Sequence, residues 1–268
     1  MVTLNDANIM PSFGFGCFGS HGKSSQNAVS CALKNGYRYI DSAAWYKNEC
    51  DVGAGIAASK LPRDEVFLVS KVWPTMFDDV SRAVESSCLD LGVDYLDACL
   101  LHWPGIDNDR MLRAAAALLS LRDSGKIKSV GVSNFQIEHL ESYAARFGFY
   151  PSVNQIELHP FYQQRALVSF CVEHGIKVIA WSPILRARTL CVGVISAIAA
   201  AHRKSAAQIV LRWHVQKGHI PIPKSSNPIH ILENRAVFNF SLADEEIAAI
   251  DALENGVHIG ADPYTFNG

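Results

Sequence analysis

Gly14-Phe15-Gly16-Cys17-Phe18-Gly19-Ser20-His21-Gly22-Lys23 joins a short apolar run to a helical stretch, and two folds compete for it. As G-x-G-x-x-G, with Asp41 ending the next strand, it matches the dinucleotide fingerprint of a doubly wound sheet. That fingerprint works when its last glycine opens a helix whose N-terminus meets a pyrophosphate. Here Ser20-His21-Gly22-Lys23 is expected to intervene before anything helical, with Ser24 and Ser25 standing before the first helix. The glycines would instead let the loop after the first strand approach a ligand closely.

Outward from this stretch, β-rich apolar runs alternate with longer helical ones, the pattern of a parallel sheet covered by helices. Residues 12–15, 37–40, 66–69, 96–101, 128–132, 152–156, 177–180 and 218–222 read as eight successive strands. Asn35-Gly36 closes the first helix, Ser205 opens a stretch to Gln216, and residues 241–254 supply the eighth helix. Eight strand–helix units predict a (β/α)8 TIM barrel, an α/β fold. The chain has 268 residues, 49% of them hydrophobic, which suits one such domain over 1–268. Asn5-Asp6 is a turn signal, so residues 1–10 are expected to form a hairpin capping the barrel bottom.

With 24 Lys+Arg against 26 Asp+Glu, the chain lacks the basic excess of a duplex-binding protein, and nucleic acid is not an expected partner. Seven scattered cysteines form no C-x-x-C pair, so most are expected to be reduced core residues. No h-region follows the start and no apolar run approaches membrane-spanning length, which predicts a cytoplasmic protein without membrane contact. Metal-assisted hydrolysis, another chemistry of barrels, finds no H-x-H pair or carboxylate cluster, and no metal is expected.

Barrel sites sit at the carboxyl ends of the strands, and here those ends are polar. The second strand runs into Asp41, with Tyr46 just beyond; the third ends at Lys71, the fourth at His102 and the fifth at Ser133-Asn134. The sixth delivers Gln155, the seventh Trp181-Ser182 and the eighth Lys224-Ser225. Singly, Asp41 could cap a helix, Lys71 could snorkel and His102 could be structural. Converging, they are costly to bury without a purpose. A tyrosine hydroxyl titrates near ~10, and a cation beside it favours the ionised form. Lys71 would be that cation, Asp41 its counter-charge, and His102 a donor to a substrate carbonyl. Polarising an oxygen and delivering a proton suits carbonyl reduction with hydride from a nicotinamide.

The chain resembles the aldo-keto reductase family. The matching stretches are Gly36-Tyr-Arg-Tyr-Ile-Asp-Ser-Ala-Ala-Trp-Tyr-Lys-Asn-Glu49, Leu100-Leu-His-Trp-Pro104, Gly131-Val-Ser-Asn-Phe135, Val153-Asn-Gln-Ile-Glu-Leu-His-Pro160 and Ile222-Pro-Lys-Ser225. The resemblance implies a catalytic tetrad of Asp41, Tyr46, Lys71 and His102. It implies that Ser133, Asn134 and Gln155 hold the nicotinamide carboxamide while Trp181, followed by Ser182, stacks on its ring. It also implies that Lys224 and Ser225 contact the adenosine 2′-phosphate, with Glu233 and Asn234 near the adenine, hence NADPH/NADP+ as cofactor.

A short loop after His102, a tryptophan at 181 and a short tail through Asp262-Pro263 make the chain most similar to compact members such as 2,5-diketo-gluconate reductases and trypanosomatid prostaglandin F synthases. Short loops imply an open pocket lined by Phe18, Trp45, Trp73 and Trp103, with ordinary barrel packing the other reading of these aromatics; a small-molecule carbonyl substrate and a monomer are expected. The alternative is a nucleotide-binding regulatory subunit with slow turnover, against which the intact tetrad argues. Three departures stand out. Ile184-Leu185-Arg186-Ala187-Arg188 replaces a leucine and a glycine-containing turn, putting a pyrophosphate contact in doubt unless Arg186 or Arg188 compensates. Leu112 and Ala115-Ala116 stand where a tryptophan and a Met-Glu pair are frequent, a matter of packing. His230 takes the place of an arginine beside the 2′-phosphate, and a histidine gains charge only as pH falls.

Overall fold

The computed structural model describes residues 1–268. A hairpin of β1 (Val2–Thr3) and β2 (Ile9–Met10) precedes eight parallel strands: β3 (Phe15–Gly16), β4 (Tyr39–Asp41), β5 (Phe67–Val72), β6 (Leu96–Leu101), β7 (Ile127–Ser133), β8 (Val153–Glu157), β9 (Lys177–Trp181) and β10 (Ile220–Pro221). Each strand lies beside its neighbour in sequence, from β3 through β10. The Gly14 amide donates to the Pro221 carbonyl (3.0 Å) and that of Gly16 to Pro223 (3.1 Å), closing first strand on last. The result is a (β/α)8 barrel.

Sequential order excludes the doubly wound fold, which needs a reversal. The missing helix does not exclude it. Helix α1 (Gly22–Lys34) begins four residues sooner than expected, Ser24 and Ser25 lie inside it, and the cap is His21 with no side-chain hydrogen bond. Its first amide, on Gly22, donates to Asp51 Oδ2 at 2.6 Å, so a carboxylate of the chain itself meets this helix end. The glycines serve closure as well as the loop. A Cβ on Gly14 would lie 2.3 Å from the Tyr39 ring, and one on Gly16 2.8 Å from the Ile222 carbonyl.

The other helices are α2 (Glu49–Ser59), α3 (Val80–Leu91), α4 (Asn108–Asp123), α5 (Ile137–Phe147), α6 (Arg165–Glu173), α7 (Gly193–His202), α8 (Ala206–Gln216), α9 (Pro228–Arg235) and α10 (Asp244–Asp251). Ser205 caps α8 in a reciprocal box with Gln208. The last unit differs from the expected single helix at 241–254. Asn227 caps an additional helix, α9, accepting from the Ile229 amide at 3.0 Å with Pro228 at its start. No single helix is long and apolar enough to cross a membrane.

Two apolar layers follow from the strand period of two. One face of the sheet joins the helices in a large buried cluster. The other fills the barrel with Tyr39, Val69, Leu100, Val153, Ile179 and Ile222, and Leu4 and Met10 of the hairpin segment pack into the same cluster. Continuing the inward parity toward the carboxyl end turns Tyr39 into Asp41, Val69 into Lys71, Leu100 into His102, Val153 into Gln155 and Ile179 into Trp181. One alternation therefore builds the interior and presents the polar set.

Candidate active site

The inward set opens into a cavity of about 870 Å³. At its floor Lys71 Nζ lies 2.5 Å from Asp41 Oδ1, 2.8 Å from the Ser42 carbonyl and 3.2 Å from Tyr46 Oη. Asp41 and Lys71 are each 1% exposed. The second carboxylate oxygen of Asp41 accepts from Gln155 Nε2 (2.7 Å) and from the Tyr39 hydroxyl (2.6 Å). Tyr39 was not foreseen. Its position two residues before Asp41 on one strand face is the signal that could have found it.

Tyr46 ends a single 3-10 turn, Ala44–Tyr46, which Lys47 terminates in the left-handed region. That turn is secured by Asn48, whose amide donates to the carbonyls of Cys17 and Ser20 at 2.8 Å each, tying it to the first loop. The rings of Tyr46 and His102 are 5.6 Å apart and edge-on. His102, just past β6, is held by its amide on the Val72 carbonyl (2.9 Å) and by Asn134 Nδ2 on its own carbonyl (3.0 Å).

The electrostatics differ in one respect from expectation. Burial raises the Tyr46 hydroxyl, Lys71 lowers it, and the net result lies above the ordinary tyrosine value. The phenol is therefore held protonated. Burial alone would lower the Lys71 ammonium, but Asp41 and Tyr46 carry it above its usual range. Burial, reinforced by Lys71, pushes His102 well below the usual histidine value, so its imidazole is neutral.

Around this floor stand an amide cluster and an aromatic wall. The Trp181 indole donates to Asn134 Oδ1 (2.8 Å), Asn134 donates to Ser133 Oγ (3.1 Å), and the Ser133 hydroxyl donates to the Gln155 carbonyl (2.8 Å). Trp45 stacks on Trp73 with centroids 4.6 Å apart and on Phe18 at 6.0 Å. Trp45 is 44% exposed, so it faces the cavity and is not barrel packing. Trp103 is buried against Phe266, centroids 4.5 Å apart, and Phe266 also meets Trp73 edge-on. The tail adds Ile259, Gly260, Ala261 and Phe266 to the lining, a wall that the expected pocket did not include. No strand-end rule points to a residue so far along the chain.

Ser182, Lys224, Ser225, His230, Glu233 and Asn234 line the same cavity. Lys224 and His230 are exposed, whereas Asn234 is buried. Every candidate catalytic, cofactor-binding and substrate-pocket residue named from the sequence lines this one cavity except Lys71, which lies behind Tyr46 and Asp41. The altered segment after Pro183 also lines it through Ile184, Arg186 and Ala187, while Arg188 does not. Leu185, Arg186 and Ala187 hold φ of 44°, 49° and 71°, a conformation that suits glycine.

A barrel whose strand ends gather a buried Asp–Lys pair, a tyrosine and a neutral histidine has the makings of a carbonyl-reducing oxidoreductase. Comparison with known proteins agrees: the profile of the Aldo/keto reductase family matches residues 13–255, and the chain belongs to that family. Glyoxal reductase of Bacillus subtilis is 42% identical over 265 residues, covering 98% of this chain and 95% of the relative. The 9,11-endoperoxide prostaglandin H2 reductase of Trypanosoma cruzi is 41% identical over 271 residues, covering 99% and 95%. Among solved structures, a Gox0644 mutant in complex with NADPH superposes with a TM-score of 0.94 at 40% identity, covering 99% of this chain and 97% of that one.

Proposed function

We propose that this protein reduces aldehydes or ketones to alcohols with NADPH, Tyr46 donating the proton to the carbonyl oxygen. The observation that carries it is the Lys71 ammonium set between Asp41 and the Tyr46 hydroxyl, just behind the lining of a cavity of about 870 Å³. The chemistry of the lining fits that cofactor. Amide and hydroxyl groups of Ser133, Asn134 and Gln155 cluster beside Asp41, Trp181 offers a ring face, and Lys224 with Ser225 and His230 suits an anionic phosphate. Glu233 and Asn234 are placed to meet the adenine. When bound, NADPH supplies the hydride.

The residues of the chain do the rest. His102, neutral, orients the carbonyl by a hydrogen bond from its imidazole. Tyr46 gives up its proton as charge develops on the oxygen, and Lys71 stabilises the phenolate left behind. Asp41 holds Lys71 charged and in place, itself steadied by Tyr39 and Gln155. Phe18, Trp45, Trp73 and Trp103 with Phe266 form a largely apolar slot that excludes water from the reacting oxygen. Such a slot suits small dicarbonyls and apolar aldehydes, and also the prostaglandin F synthase or diketo-gluconate reductase types of substrate. We expect a monomer acting in the cytoplasm.

The test is a panel of methylglyoxal, aromatic aldehydes and ketones followed by NADPH absorbance, with NADH in parallel. Turnover with NADPH well above that with NADH is expected. NADPH binding with no turnover across the panel would favour the slow-turnover regulatory alternative.

A further inference from the structure

The stretch Val153-Asn-Gln-Ile-Glu-Leu-His-Pro160 contributes only Gln155 to the chemistry above, yet Glu157 and His159 are 3% and 0% exposed. A buried carboxylate is costly unless its lone pairs are used, and those of Glu157 are. Oε1 accepts from His159 Nε2 (3.0 Å) and the Ile259 amide (2.9 Å), and Oε2 accepts from the Gly260 amide (2.7 Å). The bonds continue along the same loop. The Phe161 carbonyl accepts from the Asn255 and Gly256 amides at 3.1 and 3.0 Å, and the Gln163 amide donates to the Glu254 carboxylate.

We propose that Glu157 is a positioning residue that clamps the carboxy-terminal tail against the edge of Trp181, making residues 259–266 one wall of the cavity. Gly260 shows how close the seat is: a Cβ there would lie 2.9 Å from Trp181 Cη2 and 2.9 Å from Glu157 Oε2. Ile259, Gly260 and Ala261 line the cavity beside Trp181, and Phe266 closes it between Trp73 and Trp103. Residues 255–268 form no helix or strand, so docking of this wall depends on its anchors. The far anchor is the exposed Tyr264 hydroxyl, which donates to Glu138. A site that is competent only with the tail docked binds more weakly in proportion to the docked fraction.

Glu157→Gln keeps the shape and removes the charge that two tail amides share. Each charge-assisted bond lost shifts docking by about tenfold or more. Hydrogen exchange at the Ile259 and Gly260 amides should rise at least about tenfold relative to amides of β9, and the carbonyl KM should rise with it. Because Tyr46, Lys71 and His102 are untouched, kcat should change less than about threefold. Tyr264→Phe should loosen residues 262–266 without the same effect on Ile259 and Gly260. If Glu157→Gln does not fold, Gly260→Ala tests the same seat, since its Cβ would meet both the indole edge and the Glu157 carboxylate oxygen and force the tail out of the place between them. Unchanged exchange at Ile259 in Gly260→Ala, or at Ile259 and Gly260 in Glu157→Gln, overturns the clamp. The KM arm rests on the proposed reductase activity and the exchange arm does not. A protein that turns over no carbonyl with NADPH refutes that activity, while the exchange rates still decide the clamp.

Discussion

Asp41→Asn should reverse the sign of the pH dependence of stability in the alkaline range. The substitution keeps the shape of a side chain that is 1% exposed and removes the charge opposite Lys71. In the native protein the folded-state Lys71 lies above its ordinary value. The pair's contribution is therefore fully present below the unfolded lysine value of ~10.4 and is lost as pH rises through the folded one. In the variant, burial acts with its main opponent gone and carries Lys71 below that value. The unfolded chain then binds more protons, and stability rises with pH. Leaving one partner of a buried pair uncompensated costs about 3–5 kcal/mol. At roughly 2 °C per kcal/mol for a chain of this length, Tm near neutral pH should fall by about 6–10 °C. Thermal unfolding of both proteins between about pH 7 and 11, read as a difference curve, removes the titration of groups they share. A gap that narrows with rising pH is expected. A variant within about 1 °C of wild type at pH 7, or a gap constant with pH, would refute the reasoning.

Further outcomes follow from the same geometry. His102 is held neutral and Tyr46 protonated, so kcat/KM should be flat from about pH 6 to 9; an inflection near the ordinary histidine value of ~6.5 that disappears in His102→Asn would contradict this. His230→Arg puts a permanent charge on the cavity lining beside Lys224 and should raise the NADPH-over-NADH preference by about tenfold. Dissociation constants for both cofactors make the comparison, and an unchanged preference would remove His230 from the proposed phosphate contacts. Ala187→Gly relieves a φ of 71° and should raise stability by about 0.5–1 kcal/mol in a thermal melt, with a loss counting against strain in this loop.

The barrel was legible because its evidence is periodic. Phe67, Val69 and Lys71 alternate inward along one strand, and the same parity turns each apolar interior residue into a polar one at the mouth. That is why Asp41, Lys71, His102 and Gln155 could be singled out without a structure. The start of α1 was misjudged because Ser24 and Ser25 resemble caps, while the true boundary at His21 uses no side chain. Helix α9 was missed because the stretch after Lys224 is short, although Asn227-Pro228 is a start signal. The tail could not be placed at all. Phe266 meets Trp73 and Trp103, and Ile259 meets Glu157, through contacts spanning more than a hundred residues that no local pattern encodes. The net rise at Tyr46 also needed coordinates, since it depends on how much burial opposes Lys71.

Whether Tyr46 supplies the proton is decided by Tyr46→Phe, measured twice: NADPH binding by fluorescence titration, and single-turnover reduction of the best carbonyl of the panel. Removing one hydroxyl leaves the amide cluster, Trp181 and Lys224 in place, so the dissociation constant should stay within about twofold. The reduction rate should fall by about 10²–10⁴-fold, the usual contribution of a positioned acid. A variant that binds NADPH normally and still reduces the carbonyl within about tenfold of the native rate would contradict the account and assign the proton to another group, with His102 the nearest candidate.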